Sequence, residues 1–169
     1  GFKGVVVSPS YHGFSLASSW CKRLLTQLAD VGLPVVVVDL IEDERGLHRA
    51  YRLRYRPTPR SLEVFLEAAI KSGVRVLLHN FSFEVLKSLA PLAKSGEVYA
   101  DVSHNTLYGP VYDRIGELIE HFGSDRVVFC SGAPLRYPLI PLFKVLYSGV
   151  SDEVKRKVLR ENALKFYNG

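Results

Sequence analysis

Five short apolar runs punctuate the chain, at Val5 to Val7, Val35 to Val38, Val74 to Leu78, Val98 to Val102 and Val127 to Phe129. Each is too short for a helix, and most are solid rather than alternating, the pattern of strands buried on both faces of a parallel sheet. Helical spacing fills the gaps between them. Leu16, Trp20, Leu24, Leu28 and Val31 follow Ser15 and stop at Gly32, and Leu62, Phe65, Leu66, Ala69 and Ile70 follow Ser61 and stop at Gly73. Phe83, Val85, Leu86 and Leu89 follow Ser82, but Pro91 is expected to cut this third helix short. Ile115, Leu118, Ile119 and Phe122 lie between Pro110 and Gly123, and a last helix opens at Ser151 with Val154, Val158, Leu159 and Phe166 on one face. Strands alternating with helices predict an α/β fold of one domain over residues 1–169, its parallel strands joined by right-handed crossovers. By size alone, a doubly wound five-stranded open sheet is one such architecture. The glycine patterns of dinucleotide and P-loop sites are missing, which disfavours nucleotide binding of those kinds.

At 169 residues the chain is long enough for a sizeable core and short of the roughly 250 residues of a complete eight-unit α/β barrel. No apolar run approaches the ~18 residues of a membrane span, so no membrane partner is expected. Cys21 and Cys130 are far apart and fit neither a disulfide framework nor a cysteine zinc site, as expected for a reducing, cytoplasmic setting. The opening GFKGVVV reads as the start of a strand rather than a signal or transit peptide. The lack of methionine fits either initiator removal before Gly1 or a chain recorded from partway through a longer product.

The net charge of +5 comes from one place: residues 48–60 hold Arg49, Arg52, Arg54, Arg56 and Arg60 without an acid. Tyr51, Leu53 and Tyr55 alternate with Arg52, Arg54 and Arg56 until Pro57 and Pro59 end the pattern. Such a segment could clamp nucleic acid, stacking bases and pairing phosphates, or hold a substrate carboxylate in an arginine fork. It could equally be a solvated excursion. Confinement of the excess charge to thirteen residues disfavours the nucleic-acid reading.

Ligands of α/β folds bind at the carboxyl ends of the strands. Here those ends carry Ser8, Ser10, Tyr11 and His12; then Asp39; then His79 and Asn80; then Asp101, Ser103, His104 and Asn105; then Cys130 and Ser131. Imidazole and carboxylate are the ligand types of a catalytic divalent metal such as zinc, which makes Asp39, His79 and Asp101 the metal candidates. Asp101 and His104 are also candidates for proton transfer, and His12 with Arg52, Arg54 and Arg56 for holding a substrate or anion. Cys130 could act as a nucleophile with His79 or His104 as its base, although a buried, inert thiol is the commoner state of cysteine.

The stretch from Phe122 to Ala163, with FGSDRVVFCSGAPL, YPLIPL and SDEVKRKVLRENAL, resembles the closing segment of the amidohydrolase-related metal-dependent barrels. GFKGVVVSP, LPVVVVD, GVRVLLHN and EVYADVSH resemble that family's fourth to seventh strands in the same order. The resemblance implies strands four to eight of a (β/α)8 barrel, a metal-dependent hydrolase acting on a small carbonyl or amide substrate, and a metal site at the strand ends. It also implies gaps. The family's H-x-H has no counterpart, Asp39 stands where a metal-binding histidine is usual, His79 matches, and the catalytic aspartate of strand eight falls at Gly132. A small-molecule-binding or assembly domain without catalysis is therefore the alternative reading. Five barrel strands would leave two open edges, inviting a homo-oligomer or a separate N-terminal barrel segment as partner.

Overall fold

The computed structural model describes residues 1–41, 55–104, 114–134 and 136–169. Five strands, β1 (Val5–Val7), β2 (Val35–Val38), β3 (Val76–His79), β4 (Val98–Asp101) and β5 (Val127–Val128), form one sheet. All neighbours are parallel and the spatial order is β1-β2-β3-β4-β5. A doubly wound sheet reverses its strand order partway across. This order never reverses, so the doubly wound alternative is corrected to a singly wound sheet, a partial (β/α)8 barrel.

Single winding sends the crossover helices to one face. Alternate strand residues Val35, Val37, Val76, Leu78, Val98 and Ala100 point into the main core, with the apolar faces of α2 (Ser19–Asp30), α3 (Pro59–Ser72), α4 (Phe83–Ala93) and α5 (Arg114–Phe122). The intervening residues Val36, Val38, Leu77, Tyr99 and Val128 point to the other face, where Phe166 covers them. Burial on both faces explains why the strands read as solid apolar runs. A short α1 (Pro9–His12) follows β1.

Two helices start at a different hydroxyl from the one expected. Helix α2 is capped by Ser18, three residues beyond Ser15, and Trp20 leaves the core face to lie on Phe14 with ring centroids 4.7 Å apart. Helix α3 is capped by Thr58, and Ser61 completes a reciprocal capping box from its third position. Helix α4 runs through Pro91 to Ala93 instead of stopping short. Proline there costs only the bond to the carbonyl of Lys87, and both residues lie on the exposed side of the helix.

The carboxyl-terminal part contains α6 (Leu139–Leu146), a helix that the apolar spacing does not predict, and then α7 (Asp152–Arg156), a π-helical turn (Lys157–Glu161) and α8 (Asn162–Asn168). The π turn meets the free edge of the sheet. The Asn162 N–H reaches back five residues to the Lys157 carbonyl, instead of four to that of Val158. The Val158 carbonyl accepts from the Phe129 N–H at 2.8 Å. Asn162 Nδ2 donates to the carbonyls of Ser124 and Val127 at 2.8 and 2.7 Å. The outward groups of β5 are thus satisfied by the chain's own last helix, so of the two open edges expected, β5 is capped. Among the described residues no helix is long and apolar enough to cross a membrane.

Candidate functional site

The carboxyl ends of the strands surround a cavity of about 430 Å³ between the second sheet face and the loop after β5. Its floor is Val36, Val38 and Leu77, and its rim holds His79, Asn80, Ser103, Cys130 and Arg136.

Asp101, the last residue of β4, is fully buried and organises the rim. Its Oδ1 accepts from the backbone N–H groups of Asn80 at 3.0 Å and Ser103 at 3.4 Å. Its Oδ2 accepts from the Ser103 hydroxyl at 2.7 Å and is bonded to His79 Nδ1. Burial by itself would raise the Asp101 pKa, but the charge and hydrogen bond of His79, with those of Ser103 and the Asn80 amide, bring it below the usual aspartate value. Burial likewise pulls the His79 imidazole down, and Asp101 more than offsets this, leaving His79 above its ordinary value. Cys130 is held well above the usual thiol range by burial first and by the neighbouring Asp101 carboxylate second. It is therefore a protonated thiol at neutral pH rather than an activated nucleophile.

Asn80 closes β3 in the left-handed region at φ 61, a conformation that a buried non-glycine residue holds only when its surroundings compel it. Three bonds do so. Its N–H is on Asp101, its Nδ2 donates to the Leu40 carbonyl, and its Oδ1 accepts from Arg136 Nη1 at 3.1 Å. Gly132 makes room for that arginine. It lies at φ 71, and a Cβ there would stand 2.9 Å from Arg136 Cδ.

The other sequence candidates are placed as follows. Asp39 is buried and paired with Arg56, whose Nε and Nη2 meet its two carboxylate oxygens at 3.3 and 3.2 Å. His12 is exposed, and its Nδ1 accepts from the Ser8 N–H at 3.3 Å, tying α1 back to the end of β1. His104 is described and half-buried, and neither it nor His12 lines the cavity. Arg52 and Arg54 lie outside the described residues. Asn80 and Arg136 are the rim residues that no motif singled out. Asn80 was visible only as a polar residue after an apolar run.

The three donors that converge among the described residues are His79, Asp101 and Cys130, with ligand atoms within 4.8 Å of one another, and Asp39 is not one of them. These three atoms already satisfy each other: Asp101 Oδ2 takes His79 Nδ1, and the Cys130 thiol hydrogen-bonds the same carboxylate. A metal taking all three atoms would have to break that network beside the Arg136 guanidinium, and as a set of three they do not fit a divalent cation.

No curated protein sequence matches the chain. Among solved structures, it is similar to 5-carboxyvanillate decarboxylase from Novosphingobium aromaticivorans, determined with bound manganese, at TM-score 0.72 and 16% identity, covering 100% of this chain and 58% of that one. It is similar to an amidohydrolase from Mycobacterium avium subsp. paratuberculosis at TM-score 0.61 and 19% identity, covering 100% and 52%. It is similar also to 2,6-dihydroxybenzoate decarboxylase from Rhizobium at TM-score 0.61 and 10% identity, covering 91% and 57%. The chain therefore spans a little over half the length of these relatives, and at such identities the likeness is one of fold. The family comparison covers everything: residues 1–169 match the amidohydrolase family, and the chain belongs to it.

Proposed function

We propose that the chain binds a small planar organic acid in the cavity at the strand ends, and that His79 handles a proton there. The observation that carries this is the rim itself: an imidazole tied through Nδ1 to a fully buried carboxylate, above an apolar floor of valine and leucine and beside a guanidinium. An apolar slot with a few convergent polar groups is the usual form of a small-molecule site. The Asp101 bond fixes the ring orientation and leaves Nε2 as the nitrogen that exchanges protons with a ligand. Two of the structural relatives are decarboxylases named for aromatic acids, 5-carboxyvanillate and 2,6-dihydroxybenzoate, which suggests the class of compound to try. Calorimetric titration with these two acids, with carbon dioxide release and ester or amide hydrolysis followed in parallel, tests the proposal. Binding that is weakened by His79→Ala supports it; no binding of either acid overturns it.

A second reading, association with further barrel strands or another copy, is favoured by strand β1. Among the described residues β1 pairs only with β2, and Val6 and Phe2 are 59% and 90% exposed. Light scattering across a concentration series tests it, a constant monomer mass being the adverse result.

A further inference from the structure

The rim differs in electrical sign from the site its family implies. The position that the resemblance assigns to a catalytic aspartate is Gly132, which has no donor, and the space beside it is filled by the Arg136 side chain. The position assigned to a metal-binding histidine is Asp39, whose carboxylate is met by both nitrogens of the Arg56 fork. Where a cation centre is implied, the chain therefore places a guanidinium.

We propose that Arg136 is an anion-binding residue that takes the carboxylate of the ligand in this cavity, so that the site binds an organic acid without a metal. The proposal rests on the reading given above and names the group that reads the ligand's charge. Three observations carry it. Arg136 lines the cavity together with His79, Asn80 and Ser103. Its position is built: Nη1 is held on Asn80 Oδ1 at 3.1 Å, its N–H is on the Gly132 carbonyl at 3.1 Å, and Asn80 is itself locked in a left-handed conformation by bonds to Leu40 and Asp101. Glycine at 132 is what allows it, because a Cβ would approach Arg136 Cδ, Cγ and Cβ at 2.9, 3.3 and 3.4 Å, and an aspartate would also neutralise the guanidinium. A planar guanidinium matches a carboxylate bidentately, and a flat apolar floor suits the ring that would carry it.

The test uses the full chain dialysed against EDTA and titrated with 2,6-dihydroxybenzoate, then with the uncharged 2,6-dihydroxybenzamide, each with and without added manganese. The expected result is binding of the acid without metal, a change of less than about threefold on adding manganese, and about ten- to a hundredfold weaker binding both of the amide and of the acid to Arg136→Met. Gly132→Ala, whose methyl would meet Arg136 Cδ at 2.9 Å and push the guanidinium from its seat, should weaken the acid more than the amide and serves if Arg136→Met does not fold. Binding that requires manganese, or that treats acid and amide alike, overturns the assignment to Arg136 and leaves the cavity reading standing. Failure of the acid to bind under any of these conditions overturns the cavity reading itself, and the assignment falls with it.

Discussion

Replacing Asp101 with asparagine is the sharpest test of how the rim is held together. Asparagine keeps an oxygen for the Asn80 and Ser103 amides but puts an NH₂ where Oδ2 now receives the Ser103 hydroxyl and His79. Hydrogen bonds to a charged acceptor contribute about 1.5–3 kcal/mol and neutral ones about 1 kcal/mol, so losing the charge in a fully buried cluster should cost roughly 2–4 kcal/mol. Asp101→Ala should cost more, because it also strands two buried N–H donors. The pH dependence has a definite sign. His79 is raised in the folded state, so its share of the stabilisation is complete below the ordinary histidine pKa of about 6.5 and is lost as pH rises through the raised value. Asp101 is lowered, so its share is complete above the ordinary value of about 3.9 and is lost as pH falls through the lowered one. The gap between wild type and Asp101→Asn should therefore be widest between about pH 4 and 6.5 and narrow by pH 9. Urea unfolding at pH 5.5 and 9 measures it. A gap under about 1 kcal/mol at pH 5.5, or one that is no smaller at pH 9, would refute the account of a charge-coupled cluster.

Asn162→Ala removes the side chain that holds the Ser124 and Val127 carbonyls, and should cost about 1–3 kcal/mol in urea unfolding. Among the described residues the buried Ser8 and Ser10 hydroxyls find no hydrogen-bond partner, so Ser10→Ala should be neutral or stabilise by up to about 1 kcal/mol; a melting temperature lower by several degrees would contradict this. Gly96→Ala would drive a methyl to 2.4 Å from Ile70 Cγ1 and should destabilise by about 1–3 kcal/mol, with Ile70→Ala recovering part of the loss in a double-mutant cycle. Burial and Glu97 push the Tyr99 phenol up to about 12, so an ultraviolet titration should show a tyrosine step near that pH, and Tyr99→Phe should remove it.

Strand β2 was legible because burial on both faces leaves a solid apolar run, and β1, whose Val6 is exposed, also falls on the residues expected. Strand β3 begins two residues late because Val74 is still bonded to Ala69 at the exit of α3. Helix starts were less legible, since Ser15 and Ser18, or Thr58 and Ser61, compete for one role that only the path of the chain decides. Helix α6 was obscured by Pro138 and Pro141, which read as breakers although each sits where a first turn tolerates proline. At the site, His79 and Asp101 stood out because polar residues ending apolar runs are conspicuous. Asp39 looked identical to them. Its bond to Arg56, seventeen residues away, is a tertiary fact that spacing does not encode. Arg136 was hidden because it lies past the strand in a proline-rich turn, and what matters about it is the glycine four residues earlier.

The unbroken strand order also bears on how the chain comes together during synthesis. Each strand hydrogen-bonds to the one made just before it, with partners such as Val76 and Val98, 22 residues apart, or Val35 and Val76, 41 apart. Loop-closure entropy rises only with the logarithm of length, so these two closures differ by about 0.6 kcal/mol and neither is a bottleneck. Among the described residues β2 to β5 each pair with the strand made just before them, so each new βα unit can dock on a template already in place. The exception is the outward edge of β5, whose Val127 carbonyl and Phe129 N–H find partners only when residues 158–162 have been made. Until then that edge is a growing end, and the last helix is what terminates it.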